Sequence, residues 1–250
     1  MLLSYYDNLY KMHRKLLLPL FVFFSTIAAA QQVYIVPQVG LNVNTYNFDE
    51  TSSNISDQRF SPGVSAGVGF NIALNEMRTF IIQPEINYSL RNNRTDNIIA
   101  SAGQQNPETI TLNQRNTMHY TEIPLLARLD FGIDTRYYIN IGPSFSYALS
   151  GKEKLESNVP AIESYNRKAD FDNRFNRTDW SAVIGGGIEF PFNDGFLVVD
   201  ARFAWGFKTL YKSREVQGIS GEGNPTTLTV APEGKNRIFT LSLGYGLPLN

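Results

Sequence analysis

The sequence predicts an all-β protein, an eight-stranded antiparallel transmembrane up-and-down β-barrel behind an N-terminal signal peptide. Three observations lead there. Apolar residues alternate with polar ones at a strict period of two, the segments that do so are joined by alternately long and short connections, and no apolar run is long enough for a membrane-spanning helix.

The clearest alternation runs from Phe80 to Leu90, where every second residue is apolar and the intervening positions read Ile81, Gln83, Glu85, Asn87 and Ser89, continuing to Arg91. Side chains of a strand point alternately to its two faces, so one face here is greasy and the other polar and charged. The pattern returns at 197–207, where Leu197, Val199, Ala201, Phe203, Trp205 and Phe207 oppose Val198, Asp200, Arg202, Ala204, Gly206 and, beyond, Lys208. A wall between lipid and water has this pattern.

About eight such segments follow one another, near 33–46, 63–74, 79–91, 120–131, 137–149, 180–192, 196–209 and 237–249. Long polar stretches occupy 47–62, 92–119, 150–179 and 212–236, and short turns occupy 75–78, 132–136 and 193–195. Outer-membrane barrels have short periplasmic turns and longer extracellular loops, and with this order both ends of the barrel fall on the short-turn side. Pro107, Pro160, Pro225 and Pro232 lie in the long loops. Pro37, Pro84, Pro124 and Pro143 lie inside strand patterns, where the missing N–H is expected to disturb the local ladder.

Ahead of the strands, His13, Arg14 and Lys15 precede an apolar run at 16–27 and then Ala28, Ala29 and Ala30. Those are the three parts of a secretory signal peptide, so residues 1–30 are expected to be removed and the barrel domain to occupy 31–250. Residues 1–11 fit no part of a leader, which makes Met12 a candidate start. About a dozen apolar residues are too few for an anchor helix, and with no later run of roughly 20, any crossing is by strands.

At 250 residues and a net charge of −1, the chain suits one barrel and shows no basic surface for nucleic acid. Cysteine is absent, which excludes thiolate metal sites, a catalytic thiol, disulfides and a lipidated cysteine. No cofactor, metal or catalytic constellation is expected. Gly185, Gly186 and Gly187, with Gly67 and Gly69 upstream, lack the lysine and helix start of a phosphate loop and are expected to mark bends or close packing. Asn54, Asn93 and Asn176 open glycosylation sequons, which mean little without a eukaryotic secretory route.

The polar parity collects Glu85, Arg91, Glu122, Arg128, Asp130, Glu189, Asp200, Arg202 and Lys208. An eight-stranded barrel is only wide enough for side chains to fill, so these charges are expected to pair in a plug. A narrow path for protons, ions or small solutes is the functional alternative. Tyr34, Tyr46, Tyr88, Tyr137, Tyr147, Trp180, Phe190, Phe196, Trp205, Phe207 and Tyr245 lie toward strand ends and are expected to form the two aromatic girdles. His119 is the only histidine after the leader; it reads as a rim residue, with a lipid-modifying serine, histidine and acid site as the enzymatic alternative. A soluble lipocalin-like barrel with the apolar face inward is a further alternative, disfavoured because glycine, serine and paired charges make a poor outer skin.

The string Tyr120, Thr121, Glu122, Ile123, Pro124, Leu125, Leu126 resembles the Y-x-E-I-P-L-L segment of PorT-like outer-membrane β-barrel proteins. The resemblance implies a small barrel of the bacterial outer membrane, mostly without assigned activity, whose namesake assists protein secretion. It supplies no catalytic residues. Such barrels often end in an aromatic residue read by the assembly machinery, whereas Tyr245 is the nearest one here. The expected partners are outer-membrane lipids including lipopolysaccharide, the assembly machinery, and a protein at the extracellular loops, whose charges include Arg91, Arg94, Lys152, Lys154, Arg167, Lys168, Arg174, Arg214 and Glu215. The barrel is expected to be monomeric.

Overall fold

The computed structural model describes residues 32–48, 57–59, 61–100, 109–157, 164–212, 214–219, 225–230 and 234–249. The leader, Met12 and Asn54 lie outside them. Eight strands form the wall: β1 (Gln32–Phe48), β2 (Ser61–Ala73), β3 (Phe80–Ala100), β4 (Thr109–Phe131), β5 (Arg136–Ser157), β6 (Thr178–Phe192), β7 (Gly195–Thr209) and β8 (Gly234–Pro248). Each pairs antiparallel with its neighbours in sequence, and β8 returns to pair with β1 from Tyr34↔Pro248 to Phe48↔Gly234. The sheet is therefore closed, which removes the free edges that hydrocarbon cannot tolerate. No helix of the described residues is long and apolar enough to cross a membrane.

The side chains settle the direction of the wall. Leu41, Val64, Ile86, Ile123, Ile141, Ile184, Phe203 and Leu243 are exposed on the outside, while Asn42, Glu85, Asn140, Ser144, Asp200 and Ser242 are buried within. That is the reverse of a lipocalin. Tyr88 and Tyr147 flank Thr121 in register near one end of the greasy belt, and Phe131 and Tyr137 pair near the other. From Tyr137 to Tyr147 the strand climbs about 34 Å at ~3.4 Å per residue, or roughly 26 Å after a tilt of ~40°, which matches the apolar band of such barrels. Tyr34 and Phe196, expected in the girdles, instead turn inward and pack on Val36, Tyr138 and Val198.

The prolines interrupt hydrogen bonding without moving the register. Ladder pairs lapse between Gly69↔Glu85 and Ile72↔Ile82 beside Pro84, between Pro84↔Leu125 and Asn87↔Glu122 beside Pro124, and between Pro124↔Ser144 and Ala127↔Ile141 beside Pro143. Each lapse resumes on the same pairing sum, as expected when one donor is missing but no residue is inserted. A true register shift occurs between His119 and Tyr120.

The long connections are more ordered than their composition suggests. The β3–β4 hairpin stays paired from Leu90↔His119 up to Ala100↔Thr109, and β5 follows it to Leu112↔Ser157. Short strands Asp57–Arg59 and Tyr165–Lys168 add to its two edges. Segments 92–100 and 109–119, expected as loop, are thus strand. Once a strand leaves the membrane its outward face meets water instead of lipid and the apolar alternation stops, but the backbone ladder continues and inward residues such as Asn93, Asn116 and Glu153 stay buried. Arg214–Ile219 and Pro225–Val230 form a separate hairpin.

Candidate functional site

The interior is the site with the densest chemistry, and it is built in layers from the short-turn end upward. At the bottom, Arg78 adopts φ +52° in the β2–β3 turn and folds its side chain under the barrel. Its guanidinium stacks on Tyr34 at 4.2 Å and on Phe196 at 4.9 Å, and it meets Glu189 at 3.2 Å. A non-glycine residue in the left-handed region is uncommon, and here the conformation aims a cation at a buried carboxylate. The other oxygen of Glu189 accepts from Arg128 at 2.5 Å, and Arg128 grips Asp130 through two bonds of 2.6 and 2.7 Å while lying on the Tyr138 ring.

The next layer turns on Asp200 and Glu85. Tyr138 donates to Asp200 at 2.6 Å and Asn140 donates to it at 3.2 Å. Arg202 bridges Asp200 and Glu85, reaching Glu85 at 2.8 Å. Gln83, Gln38 and Asn87 also donate to Glu85, at 2.6, 3.0 and 2.9 Å. Fully satisfied in this way, a carboxylate can stay charged in a medium that would otherwise expel it. Gly185 and Gly187 make this crowding possible: a Cβ at Gly185 would stand 2.7 Å from Arg202 Cγ and 2.8 Å from Asn140 Oδ1, and one at Gly187 would strike the Tyr138 hydroxyl.

Above lies a cavity of about 60 Å³ lined by residues including Gln38, Ser89, Glu122, Ser144, Arg202 and Ser242. Its volume and polar lining suit a few water molecules. Arg91 roofs it, bonded to Glu122 at 2.7 and 3.1 Å and to Ser146 at 3.2 Å, and stacked on Tyr120. Over that roof sits an apolar cap, in which Phe171 and Phe175 from the β5–β6 connection pack with Met118, Tyr120, Ala148 and Leu210. Phe175 is fully buried. Tyr211 packs against the cap, and burial pushes its hydroxyl up to about 12, so it remains a donor or acceptor and not an anion at any ordinary pH. Outermost, the buried Glu153 accepts from Gln114, Tyr165, Arg167 and Arg174.

Eight of the nine expected interior charges take part in these layers: Glu85, Arg91, Glu122, Arg128, Asp130, Glu189, Asp200 and Arg202. Lys208 does not. It is exposed at the outer end of β7 and donates to Thr178. Arg78 does not show on the strand parity because it sits in a turn, and Glu153 does not because its segment lacks the apolar alternation of a membrane strand. Gln83 and Asn87 stood in plain view on the polar parity. His119 is on the outer rim, its Nδ1 2.5 Å from the Tyr88 hydroxyl. Ser150 is its register partner, but no serine hydroxyl bonds the ring among the described residues. No group of three or more His, Asp or Glu among those residues could hold a metal ion.

A filled, charged interior inside a closed wall with an apolar exterior has a counterpart in sequence. The family model "Outer membrane protein beta-barrel domain" matches residues 29–212. The chain belongs to that family. No curated protein matches it. Among solved structures, the barrel is similar to OprG from Pseudomonas aeruginosa, at 10% identity and a TM-score of 0.45 over 87% of this chain and 97% of that one. It is also similar to Ail of Yersinia pestis in complex with the heparin analogue sucrose octasulfate, at 13% identity and a TM-score of 0.39 over 87% of this chain and 100% of that one. A major outer membrane protein from Thermus thermophilus matches at 11% identity and a TM-score of 0.41, over 86% of this chain and 99% of that one. This outer-membrane barrel is thus placed by its family and by its own architecture.

Proposed function

We propose that this outer-membrane barrel is a non-enzymatic, monomeric protein that acts through its extracellular sheet on a partner at the cell surface, with the interior serving as a structural plug. The observation that carries the reading is the double closure. Arg78, Tyr34 and Phe196 fill the lower end, Phe171 and Phe175 fill the upper end, and paired charges occupy the space between. The extension of β3, β4 and β5 far beyond the outer girdle supplies the working surface. The Tyr120–Leu126 string, through its resemblance to PorT-like proteins, supports assistance to protein secretion as that surface's role. A leader cleaved after Ala30 agrees with a first strand that begins at Gln32.

The enzymatic reading of His119 has less support, since its Nδ1 is engaged by Tyr88. A second reading, a narrow conduction path, is favoured by the polar cavity above Arg202. Planar-bilayer recording separates the two. The plug reading predicts no steady current across a range of voltages, and a steady unitary conductance overturns it. Affinity capture from native outer membranes, with the chain tagged at its C-terminus, then identifies the partner.

A further inference from the structure

A cavity of about 320 Å³ opens at the short-turn end of the barrel, the end that faces the periplasm. Arg78, Tyr34 and Phe196 close it toward the lumen, and the β4–β5 and β6–β7 turns wall it with Ile133, Asp134, Arg136 and Asp194. Its volume lies near the lower bound of small-molecule sites, roughly 300 Å³. There is room for one small ligand, and the aromatic floor stops that ligand from passing into the barrel.

The charges around this cavity do not cancel one another. Asp134 and Asp194 are exposed and form no ion pair among the described residues. Exposed acids in turns are ordinarily just solvated, but these two share their cavity with two guanidiniums that are engaged elsewhere. Arg78 gives Nη2 to Glu189 at 3.2 Å; its side chain is only 9% exposed, and its Nε finds no acceptor among the described residues. Arg136 gives Nη1 to the carbonyls of Met77 and Arg78 at 3.1 and 3.4 Å, which fixes its head beside the β2–β3 turn. Glu189 is taken up by Arg78 and Arg128, and Glu76 has interactions of its own and does not line the cavity. One cavity thus holds an acidic pole and a basic pole that are not paired with each other.

Its wall also carries an apolar residue where turn chemistry favours a polar one. Ile133 is 88% exposed at the tip of the β4–β5 turn, whereas Asn193 and Asp194 of the β6–β7 turn are ordinary turn residues. Together with Pro191, Ile133 offers a surface for methylene groups.

We propose that this cavity binds the zwitterionic head of an amino acid, an ammonium and a carboxylate on one carbon, presented from the periplasm. Asp134 and Asp194 take the ammonium, the guanidiniums of Arg136 and Arg78 take the carboxylate, and Ile133 and Pro191 support the methylene stem. A purely anionic ligand meets two carboxylates and a purely cationic one meets two guanidiniums, so the match needs both charges on one molecule. Free amino acids carry that head, and so does the unlinked end of a diamino acid in a cell-wall peptide. The site stands at the opposite end of the barrel from the extracellular sheet and does not depend on that sheet's role.

The test titrates the full-length, isotope-labelled barrel in non-ionic micelles, following the NMR signals of Ile133 and Gly195. The probes are meso-diaminopimelate, cadaverine as the same chain without carboxylates, pimelate as the same chain without amines, and phosphoethanolamine as a lipid head group. Diaminopimelate is expected to bind at about millimolar strength, as a few charge-assisted contacts imply, and the other three at least about tenfold more weakly. Asp134→Asn/Asp194→Asn and, separately, Arg136→Gln are each expected to weaken diaminopimelate about tenfold or more while heat-modifiable gel mobility shows an intact barrel. No response at about 10 mM, or unchanged affinity in the Asn variant, overturns the proposal. Equal binding of cadaverine, pimelate or phosphoethanolamine overturns the amino-acid head as the ligand. Co-sedimentation with purified cell-wall sacculi then separates the sources: retention of wild type but not of the Asn variant assigns the cell-wall peptide, and no retention despite diaminopimelate binding assigns a free amino acid.

Discussion

Replacing Glu189 with Gln removes a carboxylate shared by two buried guanidiniums. Arg128 keeps its two bonds to Asp130, but Arg78 is left against the aromatic faces of Tyr34 and Phe196. Two unit charges ~4 Å apart attract by about 4 kcal/mol at an effective dielectric of ~20, and breaking one side of a buried pair typically costs about 3–5 kcal/mol. The expected loss for Glu189→Gln lies in that range, because both cations sit where water is scarce and Arg78 loses its counter-ion. The control is Glu156→Gln, which breaks the exposed pair with Lys154 and is expected to leave stability unchanged within error. The assay is equilibrium denaturation of refolded barrel in detergent micelles, followed by Trp180 and Trp205 fluorescence. Combining Arg78→Leu with Glu189→Gln should return part of the loss, since the stranded cation is removed. If Glu189→Gln shifts the midpoint no more than Glu156→Gln, the interior is wet enough to screen its charges and the reasoning fails.

Three further outcomes follow from the same structure. Phe171→Ala with Phe175→Ala should loosen the apolar cap, so that trypsin nicks the chain near Arg174 and Arg177 while heat-modifiable mobility of the barrel is kept; a protease-resistant double variant would contradict the cap. Gly187→Ala places a Cβ against the Tyr138 hydroxyl and the Val199 carbonyl and should cost about 1–3 kcal/mol, read as a lowered melting temperature in micelles. Asp170 accepts from the backbone N–H groups of Asn173 and Asp172, which hold its carboxyl below the ordinary aspartate range. A lowered folded-state value gives stabilisation that is present at neutral pH and is lost as the pH falls through that value, so the loop should resist pepsin at about pH 4 and open only in stronger acid, as nicking at stepped pH would show.

Sequence reading recovered the wall because lipid on one side and a packed interior on the other force every membrane residue to declare its face. Leu197 to Lys208 is the plainest instance, with Phe203 outside and Asp200 inside. The same rule failed at the strand ends. Segments 92–100 and 109–119 are paired strands whose outward face meets water and whose buried inward positions include the polar Asn93 and Asn116, so their composition does not separate them from loop. The site was legible where charges sat on the inner parity, as with Glu85, Arg128 and Arg202. It was not legible where backbone geometry delivers the side chain, as with Arg78 from a left-handed turn, or where a loop folds back, as with Phe175. Tyr34 and Phe196 show the converse, since aromatics near a strand end can serve the plug as readily as the girdle. Lys208 kept the inner parity but stands too high on β7 to reach the interior charges.

The orientation of alternate side chains is the claim on which the rest depends, and the cysteine-free chain makes it directly measurable. Nitroxide labels on single cysteines placed at Ile141, Phe203 and Leu241, and at Asn140, Asp200 and Ser242, can be read for oxygen accessibility in lipid bilayers. The account predicts high oxygen accessibility at the first three and little at the second three. The opposite assignment, or no difference between the two sets, would contradict a wall with hydrocarbon outside and paired charges within.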